Sequence, residues 1–240
     1  MLCVNNPLLE SQHWRDQKFT ANDPCLFVVY PPGASGDLLI SIIDKHYLRT
    51  GCEYYGINEQ GPVHLYTTDY KLTVLTKNSN DLFTEQWFFD FNDSLARRRL
   101  SYALLDQVII GCHLYRRADQ QQILDSFPQA KIINIVPESS QQRSMIKYQT
   151  MLKNQNVDQG RLIADGIFDP QILDHTRVLN VAYGSLWTAQ RFEDTYTDIV
   201  SFLNLSGKLI RYDYIDYYVS MQSPVFRQAV SELNSQSSIK

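Results

Sequence analysis

The sequence has no apolar run approaching the 18 or so residues that a membrane span needs. Its amino terminus also lacks a basic segment followed by an apolar stretch, which is the pattern of a secretion signal. Basic residues are not in excess, since 22 Lys and Arg stand against 26 Asp and Glu, and no segment is basic enough to track a nucleic-acid backbone. These absences predict a cytoplasmic protein that binds neither membranes nor nucleic acid.

Cysteine is scarce and scattered: the four residues are Cys3, Cys25, Cys52 and Cys112, with no C-x-x-C pair among them. This spacing signals neither a disulfide framework nor a zinc site, and the histidines have no metal-ligand spacing to one another or to carboxylates. We therefore expect reduced thiols and no metal. At 44% hydrophobic and 20% charged residues, the 240-residue chain has the composition of a folded globular protein rather than a disordered or fibrous one.

No repeat or long linker divides the chain, so one domain is expected over residues 1–230. Alternating segments and an aromatic cluster at Trp87–Phe89 predict a β-rich or irregular insertion near residues 55–91. The last ten residues, 231–240, are polar and predict a flexible tail. The tyrosines between Tyr212 and Tyr218 and the aromatic cluster allow three interpretations: an acceptor pocket, core packing or an oligomer interface.

Short apolar runs alternate with stretches of helical periodicity. The runs predict buried strands and the periodic stretches predict helices between them. The predicted strands are Cys25–Tyr30, Gln107–Cys112, Lys131–Val136 and Arg177–Ala182. The predicted helices follow Gly36, include Gln122 to Phe127, and span about Ser139–Lys153 and Phe192–Leu203. This order indicates an α/β protein, a three-layer sandwich around a central parallel sheet.

The turn after the first predicted strand is the first candidate site, because ligands of open α/β sheets bind at the carboxyl ends of strands. The segment from Pro31 to Gly36 contains two glycines that would let the main chain approach a phosphate, and Ser35 adds a hydroxyl. A Walker A loop needs Lys after its last glycine, whereas Asp37 follows Gly36 here. The alternative is a plain strand-to-helix turn in which Asp37 interacts with the helix dipole.

Three segments together resemble the sulfotransferase family, whose fold is like that of P-loop nucleotide-binding proteins. Tyr30–Leu39 (YPPGASGDLL) is similar to the family's 5′-phosphosulfate loop, with Ser35 and Gly36 on its Ser-Gly. Val108–Arg117 (VIIGCHLYRR) is similar to the strand that ends in the family's catalytic His. Leu179–Ser206 resembles the family's late strand, its Tyr-Glu-x-Leu turn and the helix that follows. The resemblance spans about residues 26–206.

The resemblance implies transfer of a sulfuryl group from 3′-phosphoadenosine 5′-phosphosulfate (PAPS) to a hydroxyl or amine of a small-molecule or glycan acceptor, without a metal. His113 would be the base. The 5′-phosphosulfate would be held by the loop residues Pro32, Gly33, Ala34, Ser35, Gly36, Asp37 and Leu38. The family's 3′-phosphate site pairs an Arg at the strand end with a Ser on the next helix. Pro137 takes the place of that Arg here, and we expect Arg143 and Ser144 to hold the 3′-phosphate instead.

The sequence departs from the family at other positions too. Pro32 or Gly33 stands where the loop Lys is expected, and Gly184 replaces the acid of the late turn. These departures keep a first alternative open, a non-catalytic member of the family that binds a nucleotide or a glycan. A second alternative is a nucleotide-dependent kinase, against which the missing Lys-Ser/Thr after Gly36 argues. Only the kinase would require Mg²⁺.

Overall fold

The computed structural model describes residues 19–47, 83, 88, 108–153, 172–205, 215–216, 219 and 224–237. Within these residues the chain forms a four-stranded, all-parallel sheet in the order β2-β1-β3-β4. The strands are β1 (Cys25–Val29), β2 (Val108–Cys112), β3 (Lys131–Val136) and β4 (Val178–Ala182). The helices are α1 (Gly36–Tyr47), α2 (Arg117–Ser126), α3 (Ser140–Lys153), α4 (Ala189–Leu203) and α5 (Pro224–Ser237), with a 3₁₀ turn at Tyr183–Trp187. The predicted α/β class with a central parallel sheet is confirmed.

Two hydrophobic cores cover the two faces of the sheet, because successive strand residues point to opposite sides. On one face, Leu26 and Val28 of β1 pack with the apolar residues of α1, α3, α4 and α5. On the other face, Phe27 and Val29 pack with α2 and with the aromatic rings of three residues from elsewhere in the chain, Phe19, Phe83 and Phe88. Helices on both faces of the sheet make the three layers.

Phe88, from the aromatic cluster, packs against this second core. Its ring lies 5.8 Å from that of Phe127 and 6.2 Å from that of Phe19. Of the three interpretations that the sequence allows, core packing therefore accounts for Phe88. The rest of the expected insertion at 55–91, apart from Phe83 and Phe88, lies outside the described residues, as do Tyr212, Tyr214, Tyr217 and Tyr218.

The carboxyl end of the chain corrects one expectation. The polar composition predicted a flexible tail from Ser231, whereas α5 continues through that residue to Ser237. The helix continues because Phe226 and Val230 are buried against the core that contains α3 and α4, while Gln228, Ser231 and Glu232 are exposed. Among the described residues, no helix has both the length and the apolar composition needed to cross a membrane.

Arg177, the residue before β4, ties the carboxyl end of α2 to the sheet. Its guanidinium donates hydrogen bonds of 2.9 to 3.3 Å to four backbone carbonyls, those of Leu124, Phe127, Pro128 and Ala130. Carbonyls at the end of a helix have no partner within the helix, and a cation there also interacts favourably with the helix dipole.

We expect Arg177→Met to lower the free energy of unfolding by about 1.5–3 kcal/mol, the range for hydrogen bonds to a charged group. Arg177→Lys should lose nearly as much stability as Arg177→Met, because an ammonium cannot reproduce the planar arrangement of donors in a guanidinium. Urea denaturation measures both effects. Arg117→Met is the control. Arg117 is exposed at the start of α2, so its replacement should change the free energy of unfolding by no more than about 0.5 kcal/mol. Equal effects of the two Met variants would refute the role of Arg177.

Candidate functional site

The sheet places His113 directly beside the loop that follows β1. Val29 pairs with Cys112, and the N–H of Tyr30 donates to the carbonyl of Cys112 at 3.1 Å, so the two strands end side by side. His113 is the first residue after β2. Its Nδ1 lies 2.9 Å from the carbonyl oxygen of Tyr30, and its ring packs edge-on against the Tyr30 ring at a centroid distance of 4.8 Å. The structure thus fixes the imidazole to the first residue of the loop.

The hydrogen bond to Tyr30 also determines the tautomer of His113. A carbonyl oxygen can only accept, so Nδ1 carries the proton and donates. In the neutral imidazole the lone pair then lies on Nε2. An imidazole oriented in this way can take a proton at Nε2, as a general base must.

The loop between Tyr30 and α1 begins with a tight turn. The N–H of Ala34 donates to the carbonyl of Pro31 at 3.0 Å, with Pro32 and Gly33 between them. Gly33 has a φ of 84°, the value of the third residue of a type II turn, where glycine is preferred and proline is common one position earlier. The Pro-Pro-Gly sequence therefore reverses the chain immediately above the sheet.

Ser35 adopts a left-handed conformation, with a φ of 56°, although it is not glycine. Its carbonyl accepts hydrogen bonds from the N–H groups of Leu38 and Leu39, which starts α1. A left-handed residue followed by a helical one turns consecutive N–H groups toward the same side, and such a nest binds anions. Among the described residues, the N–H groups of Ser35 and Gly36 have no acceptor. These two consecutive N–H groups are donors that the loop offers to a ligand.

The other residues predicted for the phosphate loop have different roles. The N–H groups of Ala34 and Leu38 are used within the loop and the first turn of α1, and Pro32 has none. The side chain of Leu38 is buried in the core. The backbone of Asp37 belongs to α1, and its side chain is not among the parts of the protein that the structure describes.

Gly36 is required by packing against Tyr30. A Cβ at Gly36 would lie 2.1 Å from the ring of Tyr30, whose side chain is only 2% exposed. Tyr30 fills the space between the start of α1 and Gly111 on β2, where its hydroxyl would lie 3.3 Å from an added Cβ. The missing side chain of Gly36 therefore makes room for the Tyr30 ring, which packs against His113, and the part of Gly36 in holding a phosphate stays a prediction.

Cys112 is the neighbour of His113 but cannot act with it as a nucleophile. Its side chain points into the core on the α2 face, whereas Tyr30, beside His113, belongs to the core on the α1 face. Burial raises the pKa of Cys112 to about 12, and that of Cys25 likewise. A thiol needs its thiolate form to attack, so both cysteines are packing residues.

Arg116, the residue before α2, follows β2 closely along the chain. The structure pairs it with Asp119 through two hydrogen bonds, at 2.7 and 2.8 Å. These bonds raise the pKa of Arg116, and the charge of Asp119 adds to the effect. Its guanidinium therefore has a protein partner.

Arg143 and Ser144, predicted for the 3′-phosphate, are the fourth and fifth residues of α3. The N–H of Arg143 continues the helix by donating to the carbonyl of Ser139 at 3.1 Å. Arg143 is half-buried and Ser144 is exposed. Their role stays a prediction.

A further polar cluster lies above the ends of β3 and β4. Arg191, in the first turn of α4, donates to the carboxylate of Glu138 at 3.0 Å. Gln142 accepts the N–H of Glu138 at 2.8 Å. Gly184 lies under both side chains: an added Cβ would be 2.5 Å from the Gln142 Nε2 and 3.6 Å from the Arg191 Nη1. The one local signal was Gly184 itself, which replaces an acid in the resembled turn.

A cavity of about 260 Å³ runs along the outer edge of β4, between that strand and α4. It is lined by Leu179, Asn180, Val181, Ala182, Ser185, Arg191, Asp194, Thr195 and Asp198. Because β4 and β2 are at opposite ends of the strand order, the cavity does not include His113 or the loop. We regard the loop as the candidate site because it combines free N–H donors with an oriented imidazole.

Solved structures with distant similarity to the chain include two from sulfotransferases. A sulfotransferase from Alicyclobacillus acidocaldarius shares 13% identity over 88% of this chain and 94% of its own, with a TM-score of 0.36. The sulfotransferase domain of the olefin synthase from Synechococcus PCC 7002 shares 15% identity over 88% and 86%, with a TM-score of 0.35. No family model and no curated protein matches the sequence. Likenesses of this degree do not carry a function from one protein to another.

Proposed function

We propose that the protein transfers a sulfuryl group from PAPS to a hydroxyl or amine acceptor, with His113 as the general base. The observation that carries the proposal is the hydrogen bond from the His113 Nδ1 to the Tyr30 carbonyl. The bond supports the proposal because it leaves the lone pair of the neutral imidazole on Nε2, and the imidazole stands beside a loop whose N–H groups are suited to an anion. A base and an anion-binding loop at adjacent strand ends are what in-line transfer of a charged group requires.

In this proposal the donor supplies the sulfuryl group and leaves as adenosine 3′,5′-bisphosphate. The N–H groups of Ser35 and Gly36 hold the 5′-phosphate and share the negative charge that develops on it. His113 takes the proton of the acceptor as the acceptor oxygen or nitrogen forms its bond to sulfur. No metal is needed for these steps. Arg143 and Ser144 stay the sequence-based proposal for the 3′-phosphate.

A non-catalytic binding protein is the second candidate, because a specific feature of the loop favours it. The resembled family has a Lys in the loop, and Pro32 or Gly33 occupies that position here. Stabilisation of the leaving group is usually the largest electrostatic contribution to such a reaction. A protein without that cation can bind the nucleotide and transfer nothing, so binding and turnover have to be measured separately.

Binding is tested by thermal unfolding in the presence of adenosine 3′,5′-bisphosphate and a metal chelator. A ligand at 100 times its Kd stabilises the folded state by about 2.7 kcal/mol, which is about 5–10 °C in Tm for a chain of this size. Adenosine is the control, and it should produce no shift because it has no group for the loop to bind. The proposal fails if millimolar bisphosphate leaves the Tm unchanged, or if a shift requires Mg²⁺ and a triphosphate, as a kinase would.

A further inference from the structure

β4 is an edge strand within the part of the chain that the structure describes. It pairs with β3 on one side, and no described strand pairs with its other side. Solvent reaches this strand, since four of its five residues are half-buried, whereas every residue of β1 is buried. An edge strand carries unpaired backbone groups, and these groups are a template for pairing with another chain.

The hydrogen bonds to β3 show which backbone groups of β4 point outward. The carbonyl of Arg177 accepts the N–H of Ile132 on β3 at 2.8 Å. Alternate residues of a parallel strand bond to the same neighbouring strand, so Val181 also faces β3. The intervening residues, Asn180 and Ala182, therefore present their backbone N–H groups to the outer side, where no described residue accepts them.

The cavity of about 260 Å³ beside this edge is negatively charged. Asp194 and Asp198 of α4 line it, both are exposed, and within the described part of the chain neither forms an ion pair. Arg191 lines it as well, but the carboxylate of Glu138 offsets its charge. Pockets for drug-sized ligands have about 300–1,000 Å³, so this cavity is small for such a ligand. Its acidic lining suits basic side chains.

The spacing of the two carboxylates matches that of side chains on one face of a strand. Asp194 and Asp198 are about one turn apart on α4, or about 6 Å along the helix axis. Side chains two positions apart on a strand share a face and are about 6.6 Å apart. α4 lines the cavity over 191–198 and β4 lines it over 179–182, so the two elements lie side by side. A strand added to β4 would bring alternate side chains to the two aspartates.

We propose that the outer edge of β4 binds an extended peptide segment of a partner protein, with lysines at alternate positions. The segment adds a strand to the sheet through the N–H groups of Asn180 and Ala182, and its lysines pair with Asp194 and Asp198. A second copy of this chain is disfavoured at the same edge, because the aspartates of the two copies would repel each other. The proposal is independent of sulfuryl transfer, since the cavity does not include His113.

Fluorescence anisotropy with a labelled peptide of alternating valine and lysine tests the charge pairing. The wild-type protein should bind this peptide and should not bind the same peptide with glutamate in place of lysine. The double variant Asp194→Asn, Asp198→Asn should bind up to about 30-fold more weakly, the combined effect of two exposed ion pairs. Glu193→Gln is the matched control, because Glu193 is exposed on the same helix but does not line the cavity. Its binding should be unchanged.

Ala182→Pro tests the pairing of strands. Ala182 has a φ of −65°, the value that proline imposes, and its N–H points away from β3, so the substitution should leave the fold intact. It removes one outward donor and places the proline ring at the edge, so peptide binding should weaken by at least about 10-fold. Thermal unfolding checks that the variant is folded. In the wild-type protein, NMR should show that hydrogen exchange of the Asn180 amide slows when the peptide binds.

The proposal is overturned by any of four results. If the wild-type protein does not bind the peptide, the edge has no such partner. If the Asn180 and Ala182 amides already resist exchange in the free protein, the chain itself pairs with the edge. If binding survives Ala182→Pro but is lost in the double aspartate variant, the peptide binds by charge and adds no strand. If the wild-type protein dimerises and Ala182→Pro makes it monomeric, the edge binds a second copy.

Discussion

Replacement of His113 by alanine should reduce sulfuryl transfer by about 10²–10⁴-fold, the usual contribution of a general base. The affinity for adenosine 3′,5′-bisphosphate should change little, because the imidazole acts on the proton of the acceptor and not on the nucleotide. The measurement is release of the bisphosphate from PAPS in the presence of a panel of phenols, amines and sugars, alongside calorimetry of product binding. A loss of rate without a loss of binding identifies a residue that acts in the chemical step.

His175→Ala is the matched control for this experiment. His175 lies in the turn before β4, at the opposite end of the strands, where its carbonyl accepts the N–H of Val178 at 2.9 Å. We expect its replacement to leave the rate of transfer unchanged. If His113→Ala retains the full rate with an acceptor that the wild-type protein sulfates, or if both variants lose the same activity, His113 is not the base.

Gly36→Ala should destabilise the protein by about 1–3 kcal/mol, the typical cost of an extra methyl group in a packed region. Helix propensity alone predicts the reverse, since alanine is favoured over glycine by up to about 1 kcal/mol. Packing should decide the sign, because the new Cβ would lie 2.1 Å from the Tyr30 ring. Movement of that ring would also disturb His113, which packs against it at 4.8 Å. Urea denaturation gives the change in stability, and calorimetry should show that nucleotide binding is weakened.

Gly184→Ala is the comparison for Gly36→Ala. An added Cβ there would meet the end of a flexible side chain, the Gln142 amide nitrogen, at 2.5 Å. The amide can move aside, so the loss of stability should be clearly smaller than at Gly36. If Gly36→Ala is as stable as the wild-type protein, the Tyr30 ring does not fill the space beside α1, and its part in positioning His113 is wrong.

The strands were predictable because they are short apolar runs buried on both faces of the sheet. β3 begins and ends where the sequence places it, at Lys131 and Val136. The start of α4 differs: periodicity indicated Phe192, the first apolar position of the stripe, whereas the helix begins at Ala189. The first turn of a helix is often polar, and the 189–191 segment is exposed, so the hydrophobic pattern contains no signal for it.

The candidate site was predictable in part. His113 and the loop were found because both follow buried strands directly, and the ends of parallel strands lie at one edge of the sheet. The partner of Gly36 was not predictable, because a glycine in a strand-to-helix turn has many potential neighbours and only the fold shows that the neighbour is Tyr30. The cluster of Glu138, Gln142 and Arg191 joins residues up to 53 positions apart, for which no local pattern exists.

A crystal structure with adenosine 3′,5′-bisphosphate would test the central claim most directly. We predict that the 5′-phosphate accepts hydrogen bonds from the N–H groups of Ser35 and Gly36, and that its outer oxygens face the Nε2 of His113. The claim would be contradicted if the nucleotide were bound at the outer edge of β4, in the cavity beside Asp194 and Asp198. So would a 5′-phosphate at the loop with the His113 imidazole turned away from it.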